Sequence, residues 1–396
     1  MFGEVIMGSL ANELSGKKPA EKLGSMELGS DGGEFTNIKT DKPITDDWSD
    51  VFARFGRNAD EFEIIDDTVR MSTWQQSKAL EDGTRDVVDL YSYSARFRRK
   101  VAGELDVADI ISSLRAWKPA KHKVPVGAPS AFFLGLADWQ LGKGEGDGTV
   151  GTTARVLAAY EAAAERIKAL RKQGVVLNEL VFANMGDATE AVAGHYTSQT
   201  YSVDLNLRAQ LMAAIELTLT GLKLLAPMFE KVTYTVALCN HGQWQRVGGK
   251  ALTDDSDNSS GHLGDILKML AAQTPGLQHV EFIIPHDEMI TTGTFAGVPV
   301  AMAHGHKISA AEETWLAKQS SWLHTTKDFR PELWVTAHRH TAKCEDFGPY
   351  HRVQCATEDP GSKSFTDGTG KWSTQGTTSF VIDSTSPRKA THYEVL

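Results

Sequence analysis

The chain from residue 131 to about 345 alternates between short apolar runs and longer amphipathic runs, and this pattern constrains the fold most strongly. Buried strands are predicted for "AFFLGLAD", "LNELVFANMGD", "KVTYTVALCNH", "HVEFIIP", "VPVAMAHGH" and "PELWV". Helices are predicted between them for "TARVLAAYEAAAERIKALRKQG", "LNLRAQLMAAIELTLTGLKLLAP", "HLGDILKMLAAQTPG" and "AAEETWLAKQSSWLH". Repeated alternation of this kind predicts a layered α/β fold whose ligands bind beyond the strand ends.

The chain before this stretch has three parts of different composition. Residues 1–44 are rich in Gly, Ser, Lys and Glu, which predicts a flexible tail. Residues 45–117 combine helix-like and strand-like pieces and predict a small α+β N-terminal domain. Residues 118–130, "KPAKHKVPVGAPS", contain three prolines and predict a linker, so that the large domain spans 131–396.

Composition excludes several classes of protein. Against 51 Asp and Glu there are 41 Lys and Arg, and the net charge of −10 argues against wrapping nucleic acid over the whole surface, although a local basic patch remains compatible. Cys239, Cys344 and Cys355 are too few for a disulfide framework or a cysteine-based zinc site. No apolar run approaches the roughly 20 residues of a membrane span, and the N-terminus lacks a signal-peptide core. A soluble, cytoplasmic protein is expected.

Polar side chains that can bind metal ions follow five of the predicted strands. In "VTAHRHTA", His338 and His340 are two residues apart in extended chain, so both imidazoles project to the same side. Each such position also has a structural explanation, because Asp and Asn often cap turns. Five strand ends of this kind nevertheless indicate one shared site. Its candidate residues are Asp138, Gln140, Asp187, Asn240, His241, His304, His306, His338 and His340.

The ordered series D-x-Q, GD, NH, H and H-x-H resembles the calcineurin-like metallophosphoesterases, which include purple acid phosphatases, cyclic-nucleotide phosphodiesterases and double-strand-break repair nucleases. The resemblance covers most of the large domain and implies a layered sandwich of mixed β-sheets flanked by helices. The small domain followed by this core also resembles phosphoesterases encoded by bacteriophages of actinobacteria, which implies the host cytoplasm as the location. Three positions depart from the family's pattern. Gln140 replaces a His, Cys239 replaces a Gly before Asn240, and Ala337 replaces a Gly before His338.

The resemblance implies two divalent metal ions that activate water and clamp a phosphate. It places Asp187 between the two ions and divides the other ligands between a first position, with Asp138, Gln140 and His340, and a second position, with Asn240, His304 and His338. His241 directly follows Asn240, so its side chain is expected to face the substrate, where it stabilises the transition state or protonates the leaving oxygen. Oxygen and imidazole ligands suit Mn²⁺, Fe²⁺ or Zn²⁺, and the neutral amide of Gln140 favours Mn²⁺.

The substrate is less constrained than the chemistry. The main prediction is a two-metal phosphodiesterase that acts as a nuclease on DNA or RNA. The alternatives are a small-molecule phosphatase or cyclic-nucleotide phosphodiesterase, and a non-catalytic scaffold that retains the fold. A basic and aromatic run from Tyr93 to Lys100 could contact nucleic acid or be a solvated strand face. Two further candidates for substrate contact are His195, although a loop histidine is more often simply solvated, and the loop 242–261 with Trp244 and Arg246.

Overall fold

The computed structural model describes residues 24–29, 32–40, 42–45, 47–79, 85–99, 107–120, 122, 130–247, 249–308, 311–362, 366–367, 370 and 372–396. The chain divides into two compact units, Met1–Gly103 and Glu104–Leu396. The predicted linker, 118–130, lies mostly outside the described residues. The helix predicted at the end of the small domain belongs to the second unit, so the division falls earlier than the sequence predicts.

The first unit is an antiparallel sheet built around one long strand. Its strands are β1 (Ser25–Leu28), β2 (Gly32–Thr40), β3 (Phe62–Ile64), β4 (Arg70–Ala79) and β5 (Arg85–Arg99). One edge of β5 pairs with β2, and the other edge pairs with β3 and β4. Helix α1 (Ser49–Arg54) and two 3₁₀ turns, Ala59–Glu61 and Asp66–Thr68, complete the unit.

Strands β1 and β2 correct the prediction of a flexible tail over residues 25–40. Phe35 and Ile38 of β2 are fully buried in the core of this unit, where Phe35 packs on Phe97 with ring centroids 4.6 Å apart. The pairing register shifts between these two residues, and Asn37 has a φ of 55°. The strand therefore lacks the strict alternation by which a half-buried strand is predicted.

The basic and aromatic run of β5 divides between the core and the surface. Tyr93 is buried, and its hydroxyl accepts a hydrogen bond of 3.0 Å from the backbone N–H of Ile44. Arg96 and Arg98 are exposed, and Arg98 forms an ion pair of 2.9 Å with Glu63. Tyr93 is therefore a core residue, and nucleic-acid binding by the exposed arginines stays a prediction.

The second unit contains two mixed sheets. The first sheet has the strand order β11-β8-β7-β6-β17-β18, and the second sheet has the order β12-β13-β14-β16-β15. The strands of the first sheet are β6 (Ser130–Leu136), β7 (Leu177–Asn184), β8 (Lys231–Val236), β11 (Val280–Ile283), β17 (Thr378–Ile382) and β18 (Ala390–Val395). Those of the second sheet are β12 (Thr291–Phe295), β13 (Val298–Ala303), β14 (Leu333–Thr336), β15 (Lys343–Asp346) and β16 (His351–Gln354). A short hairpin joins β9 (Arg246–Val247) to β10 (Lys250–Ala251).

Helices cover the outer face of each sheet. They are α2 (Val107–Ala116), α3 (Gly148–Lys172), α4 (Leu207–Leu225), α5 (Ser259–Gln273) and α6 (Glu312–Lys327), with 3₁₀ turns at Gln199–Tyr201 and Ala226–Met228. Side chains of β6 alternate between two cores, because Phe132 faces the helices and Phe133 faces the second sheet. On the far side, Trp334 of β14 packs with Leu316 of α6. The predicted fold class, mixed β-sheets flanked by helices, is confirmed.

One segment of the second unit is long and apolar enough to cross a membrane. Over Leu207–Met228 the mean hydropathy of the best window is 1.4, and 56% of that window is buried inside the fold. The segment includes α4, whose Leu222 and Leu225 are fully buried in the core beside the first sheet. It packs as a core helix in this fold.

Candidate metal centre

The strand ends bring the predicted site residues to one place. The strands β6, β7 and β8 are parallel, and their last residues Leu136, Asn184 and Val236 lie in register at one edge of the first sheet. In the second sheet β13 and β14 are also parallel, with Ala303 beside Thr336. Three of these strands belong to the first sheet and two to the second, so both sheets contribute polar residues at their strand ends.

His304 lies at the centre of the site and is fully buried. Its Nδ1–H donates to the carbonyl oxygen of Met185 at 2.8 Å, which directs Nε2 toward the other candidate ligands. Nε2 is 3.0 Å from Oδ2 of Asp187 and 3.1 Å from Oδ1 of Asn240. Asp187, His304 and His338 each offer one ligand atom. These three atoms lie within 4.8 Å of one another, which is close enough to hold one metal ion.

Asp138 contributes a second buried carboxylate near Nε2 of His304. Its Oδ2 accepts a hydrogen bond of 3.1 Å from the backbone N–H of His338. Among the described residues its Oδ1 has no hydrogen-bond partner, and it lies 3.4 Å from Nε2 of His340 and 3.9 Å from Nε2 of His304. A buried carboxylate oxygen without a donor is costly unless a cation accompanies it. This arrangement fits a bound metal ion.

Gln140 is buried in the same site, but its side chain has another partner. Its Oε1 accepts a hydrogen bond of 3.2 Å from Nζ of Lys143. Nζ also lies 2.8 Å from both carboxylate oxygens of Asp359, and Oδ2 of Asp359 is 3.1 Å from Nδ1 of His340. The sequence analysis predicted neither Lys143 nor Asp359 as part of this site.

His241 is oriented by a glutamate that the sequence analysis also missed. Its Nδ1 lies 2.9 Å from the carbonyl oxygen and 3.2 Å from Oε2 of Glu190, which is buried and accepts a hydrogen bond from Tyr196. The backbone N–H of His241 donates to Oδ1 of Asp187 at 2.9 Å. These contacts leave Nε2 as the ring nitrogen that can meet a substrate.

Electrostatics separate the histidines into two groups. Burial alone lowers the pKa of His241, but the charge of Asp187 and the bonds to Glu190 outweigh it and raise the pKa to about 9. In the same way, Asp138 and Asp359 outweigh burial and raise the pKa of His340 to about 10. For His338, burial and the charge of His304 together lower the pKa to about 4.

Two further histidines lie beside the site. The ring of His195 stacks on His241 with centroids 4.3 Å apart, and burial is the main cause that lowers its pKa to about 3. The ring of His306 lies 5.6 Å from that of His304, and both of its nitrogens are buried, with no hydrogen-bond partner in the part of the chain that the structure describes. His306 therefore sits beside the candidate ligands and not at an exposed strand end.

Unusual backbone conformations are concentrated in the site. Among the described residues, ten non-glycine residues have a positive φ, and half of these are candidate ligands with φ between 45° and 68°. A left-handed conformation costs an L-residue roughly 1–2 kcal/mol. Strain of this kind clusters at functional sites, because the chain must turn sharply to aim a side chain. The five ligands are Asp138, Gln140, Asp187, His338 and His340.

A cavity of about 1460 Å³ opens beside the site. Gln140, His241, His338 and His340 line it, together with Trp372, which is 77% exposed. Within the described part of the chain, its lining includes neither Trp244 nor Arg246 of the predicted rim loop. Three predicted ligands and His241 therefore face a cavity that a substrate can enter.

Of the three site residues that sequence analysis missed, two lie close to a predicted ligand in the sequence and one does not. Glu190 follows Asp187 by three residues in "GDATE", and Lys143 follows Gln140 by three residues in "QLGK". Either residue could have been found by including the loop after each strand. Asp359 gives no such signal, because 216 residues separate it from Lys143.

No known protein family matches the chain, and no curated protein matches it. Among similar solved structures, an archaeal phosphodiesterase has 10% sequence identity and a TM-score of 0.29, covering 67% of this chain and 99% of that chain. A predicted phosphoesterase from Streptococcus pneumoniae has 9% identity and a TM-score of 0.24, covering 52% and 82%. Phosphopantetheinyl hydrolase from Mycobacterium tuberculosis has 11% identity and a TM-score of 0.26, covering 59% and 92%. The sequence identities and the TM-scores are both low, so these similarities do not assign a function to this chain.

Proposed function

We propose that this chain hydrolyses phosphate esters with divalent metal ions bound at the strand-end site. The observation that carries the proposal is the convergence on Nε2 of His304, which lies 3.0 Å from Oδ2 of Asp187 and 3.1 Å from Oδ1 of Asn240. A ring held through Nδ1 by the Met185 carbonyl, with Nε2 facing buried oxygens, is the arrangement that metal-binding histidines adopt.

The chain offers ligands for two ions, as the resemblance to metallophosphoesterases implies. Asn240, His304 and His338 would hold one ion at the second position, and Asp138 with His340 would hold another at the first position. The same resemblance implies that Asp187 is shared by the two ions. When bound, such ions neutralise phosphoryl oxygens and activate water for attack on phosphorus. Mn²⁺ is the expected ion, and Zn²⁺ and Fe²⁺ are alternatives.

His241 supplies the proton in this proposal. Glu190 holds Nδ1 of the ring, and its carboxylate helps to raise the pKa of His241 above the ordinary histidine value, which favours the protonated imidazole. As hydroxide adds to phosphorus, the bond from phosphorus to the leaving oxygen breaks, and Nε2 of His241 gives its proton to that oxygen, which leaves the ring neutral. Glu190 fixes the ring and offsets the charge of the imidazolium.

We extend the proposal to phosphodiesters, with nucleic acid as the substrate class predicted from the sequence. The exposed Trp372 in the cavity lining could stack on a base. A small-molecule phosphodiester is the second candidate, and a specific observation favours it. Among the described residues, the lining contains three Lys or Arg side chains, and each lies near a carboxylate. Nε of Arg339 lies 3.7 Å and Nζ of Lys343 3.9 Å from the carboxylate of Glu312. Nζ of Lys143 lies 2.8 Å from the carboxylate of Asp359. A cavity neutralised in this way attracts a polyanion weakly.

Hydrolysis assays with three substrates test the proposal. A chromogenic phosphodiester, the matching monoester and single-stranded DNA are compared with Mn²⁺ and with chelator. Asp187→Asn should abolish turnover and reduce bound Mn²⁺, because it removes a carboxylate shared between both positions. Asp383→Asn, at a turn where this aspartate accepts a hydrogen bond from Thr385, is the matched control and should change neither.

Each outcome of these assays has a meaning. Cleavage of DNA supports the nuclease prediction, and cleavage of the small diester alone supports the second candidate. Bound Mn²⁺ without hydrolysis of any substrate supports the scaffold alternative. Full activity and unchanged metal content in Asp187→Asn would show that the assignment is wrong.

A further inference from the structure

A buried lysine stands at the first metal position. The ammonium of Lys143 lies 2.8 Å from both carboxylate oxygens of Asp359 and 3.2 Å from Oε1 of Gln140. All three residues are buried, with Lys143 only 8% exposed. The lysine therefore places a fixed positive charge beside a residue predicted to bind a metal cation.

Asp359 also contacts His340, the histidine predicted at the first metal position. Oδ2 of Asp359 lies 3.1 Å from Nδ1 of His340, while Nε2 of His340 lies 3.4 Å from Oδ1 of Asp138. Histidines that bind metal ions commonly donate their other ring N–H to a carboxylate, which fixes the ring and makes it a better ligand. Asp359 is placed to do this for His340.

Lys143 and Asp359 therefore affect metal binding at the first position in opposite directions. An ammonium in a buried site repels a divalent cation more strongly than it would in water. Lys143 also engages the amide oxygen that Gln140 would otherwise offer to the ion. At the second position, by contrast, the contacts of His304 are with the oxygens of Asp187, Asn240 and Met185.

We propose that Lys143 and Asp359 give the two metal positions unequal affinities. Lys143 weakens the first position, and Asp359 keeps it able to bind an ion by orienting His340. The second position then fills first, and the first position fills only at a higher concentration of the ion. This inference rests on the proposed function, because it requires the site to bind metal ions.

Calorimetric titration of Mn²⁺ into the metal-free, full-length protein tests the proposal. Lys143→Met should tighten the weaker binding class about tenfold or more, or create a second class where the wild type shows one. Lys143→Arg keeps the charge and should not tighten it. Asp359→Asn should weaken the same class by about 10- to 100-fold. None of these variants should change the tighter class by more than a small factor.

Lys231→Met is the matched control. Nζ of Lys231 lies 2.8 Å from Oε1 of the buried Glu179, so this variant also removes a lysine from a buried carboxylate, but at residues outside the predicted ligand set. It should lower the unfolding temperature without changing Mn²⁺ binding. Lys143→Gln, which retains a polar side chain, is tested in parallel, and circular dichroism confirms that the variants compared are folded.

The outcomes separate this inference from the proposed function. If the wild type binds no Mn²⁺ and the second position stays empty, the proposed function fails. If the wild type binds Mn²⁺ and neither Lys143→Met nor Lys143→Gln tightens binding or adds an ion, the inference is wrong while the proposed function stands. Equal tightening by Lys231→Met would also overturn it, because the effect would then not depend on the site.

Discussion

Gly186, the glycine of the "GD" block, is predicted to be essential for placing His304. A Cβ added at Gly186 would lie 2.6 Å from Nδ1 of His304 and 2.6 Å from Cβ of Cys239. The φ of Gly186 is +99°, a conformation that side-chain-bearing residues rarely adopt. Gly186→Ala should therefore displace the imidazole on which the candidate ligands converge.

The cost of this change follows from the contacts. Ordinary contact begins near 3.4 Å, so the ring of His304 or its neighbours must move by about 0.8 Å. That movement breaks or stretches the 2.8 Å bond from Nδ1 to Met185 and leaves a buried donor poorly paired, at a cost of about 1–3 kcal/mol. The left-handed backbone adds roughly 1–2 kcal/mol. The free energy of unfolding should fall by about 2–5 kcal/mol, and Mn²⁺ affinity by about 10- to 100-fold.

Gly174→Ala isolates the backbone contribution. Gly174 has a φ of +94°, but nothing lies within 4 Å of an added Cβ. Urea unfolding of the metal-free variants, with Mn²⁺ calorimetry, should show a loss of roughly 1–2 kcal/mol and unchanged metal affinity for Gly174→Ala. Equal losses of stability in the two variants, with Mn²⁺ affinity intact in Gly186→Ala, would refute this reasoning.

Three other predictions concern protons. His241→Gln should keep metal content and slow turnover about 10²- to 10⁴-fold, as measured by metal analysis and steady-state kinetics, because the proton donor is lost. The pKa of His340 is raised to about 10, so the ring must lose a proton to bind a metal ion. Calorimetry in buffers of different ionisation enthalpy should detect this proton, and affinity should rise as the pH rises toward 10. Burial raises the pKa of Glu358 to about 7, so the contribution of this residue to the unfolding free energy should fall by about 3 kcal/mol as the pH rises from about 4.5 to 7. Urea unfolding across this range should show that the difference in unfolding free energy between the wild type and Glu358→Gln falls by this amount.

The strand-end residues could be predicted because two independent patterns agree on them. Apolar runs mark where β7 and β8 end, and Asp187 and Asn240 follow these two strands. Because β7 and β8 are parallel neighbours, their carboxyl ends lie side by side, and the two side chains are expected to be close together. His304 follows β13 of the second sheet, so its contacts with them depend on how the two sheets pack.

The partners of these ligands could not be predicted from local pattern. Lys143 and Asp359 form an ion pair although 216 residues separate them in the sequence. Taken alone, each resembles an ordinary charged loop residue. The sequence suggested a weak ligand at Gln140 from its neutral amide alone. The structure adds that a lysine engages its oxygen, which depends on how two distant loops pack.

The beginning of the chain shows a different limit. Glycine-rich and charged stretches surround β1 and β2, and composition averaged over 44 residues hides two short strands. Phe35 and Ile38 are three residues apart because of the bulge near Asn37, so neither the helical nor the strand period is clear. Their burial depends on pairing with β5, more than fifty residues later.

The candidate ligands come from both sheets: Asp187 and Asn240 follow strands of the first sheet, while His304 and His338 follow strands of the second. An ion held by all four would add a further link between two layers that already meet through apolar side chains and through hydrogen bonds such as that from Thr291 to the carbonyl oxygen of Val236. Binding to the folded state alone would stabilise it by about 2.7 kcal/mol when free ion is a hundred times the dissociation constant. Resistance to proteases, and so the lifetime of the folded protein in a cell, would then rise and fall with the supply of divalent metal.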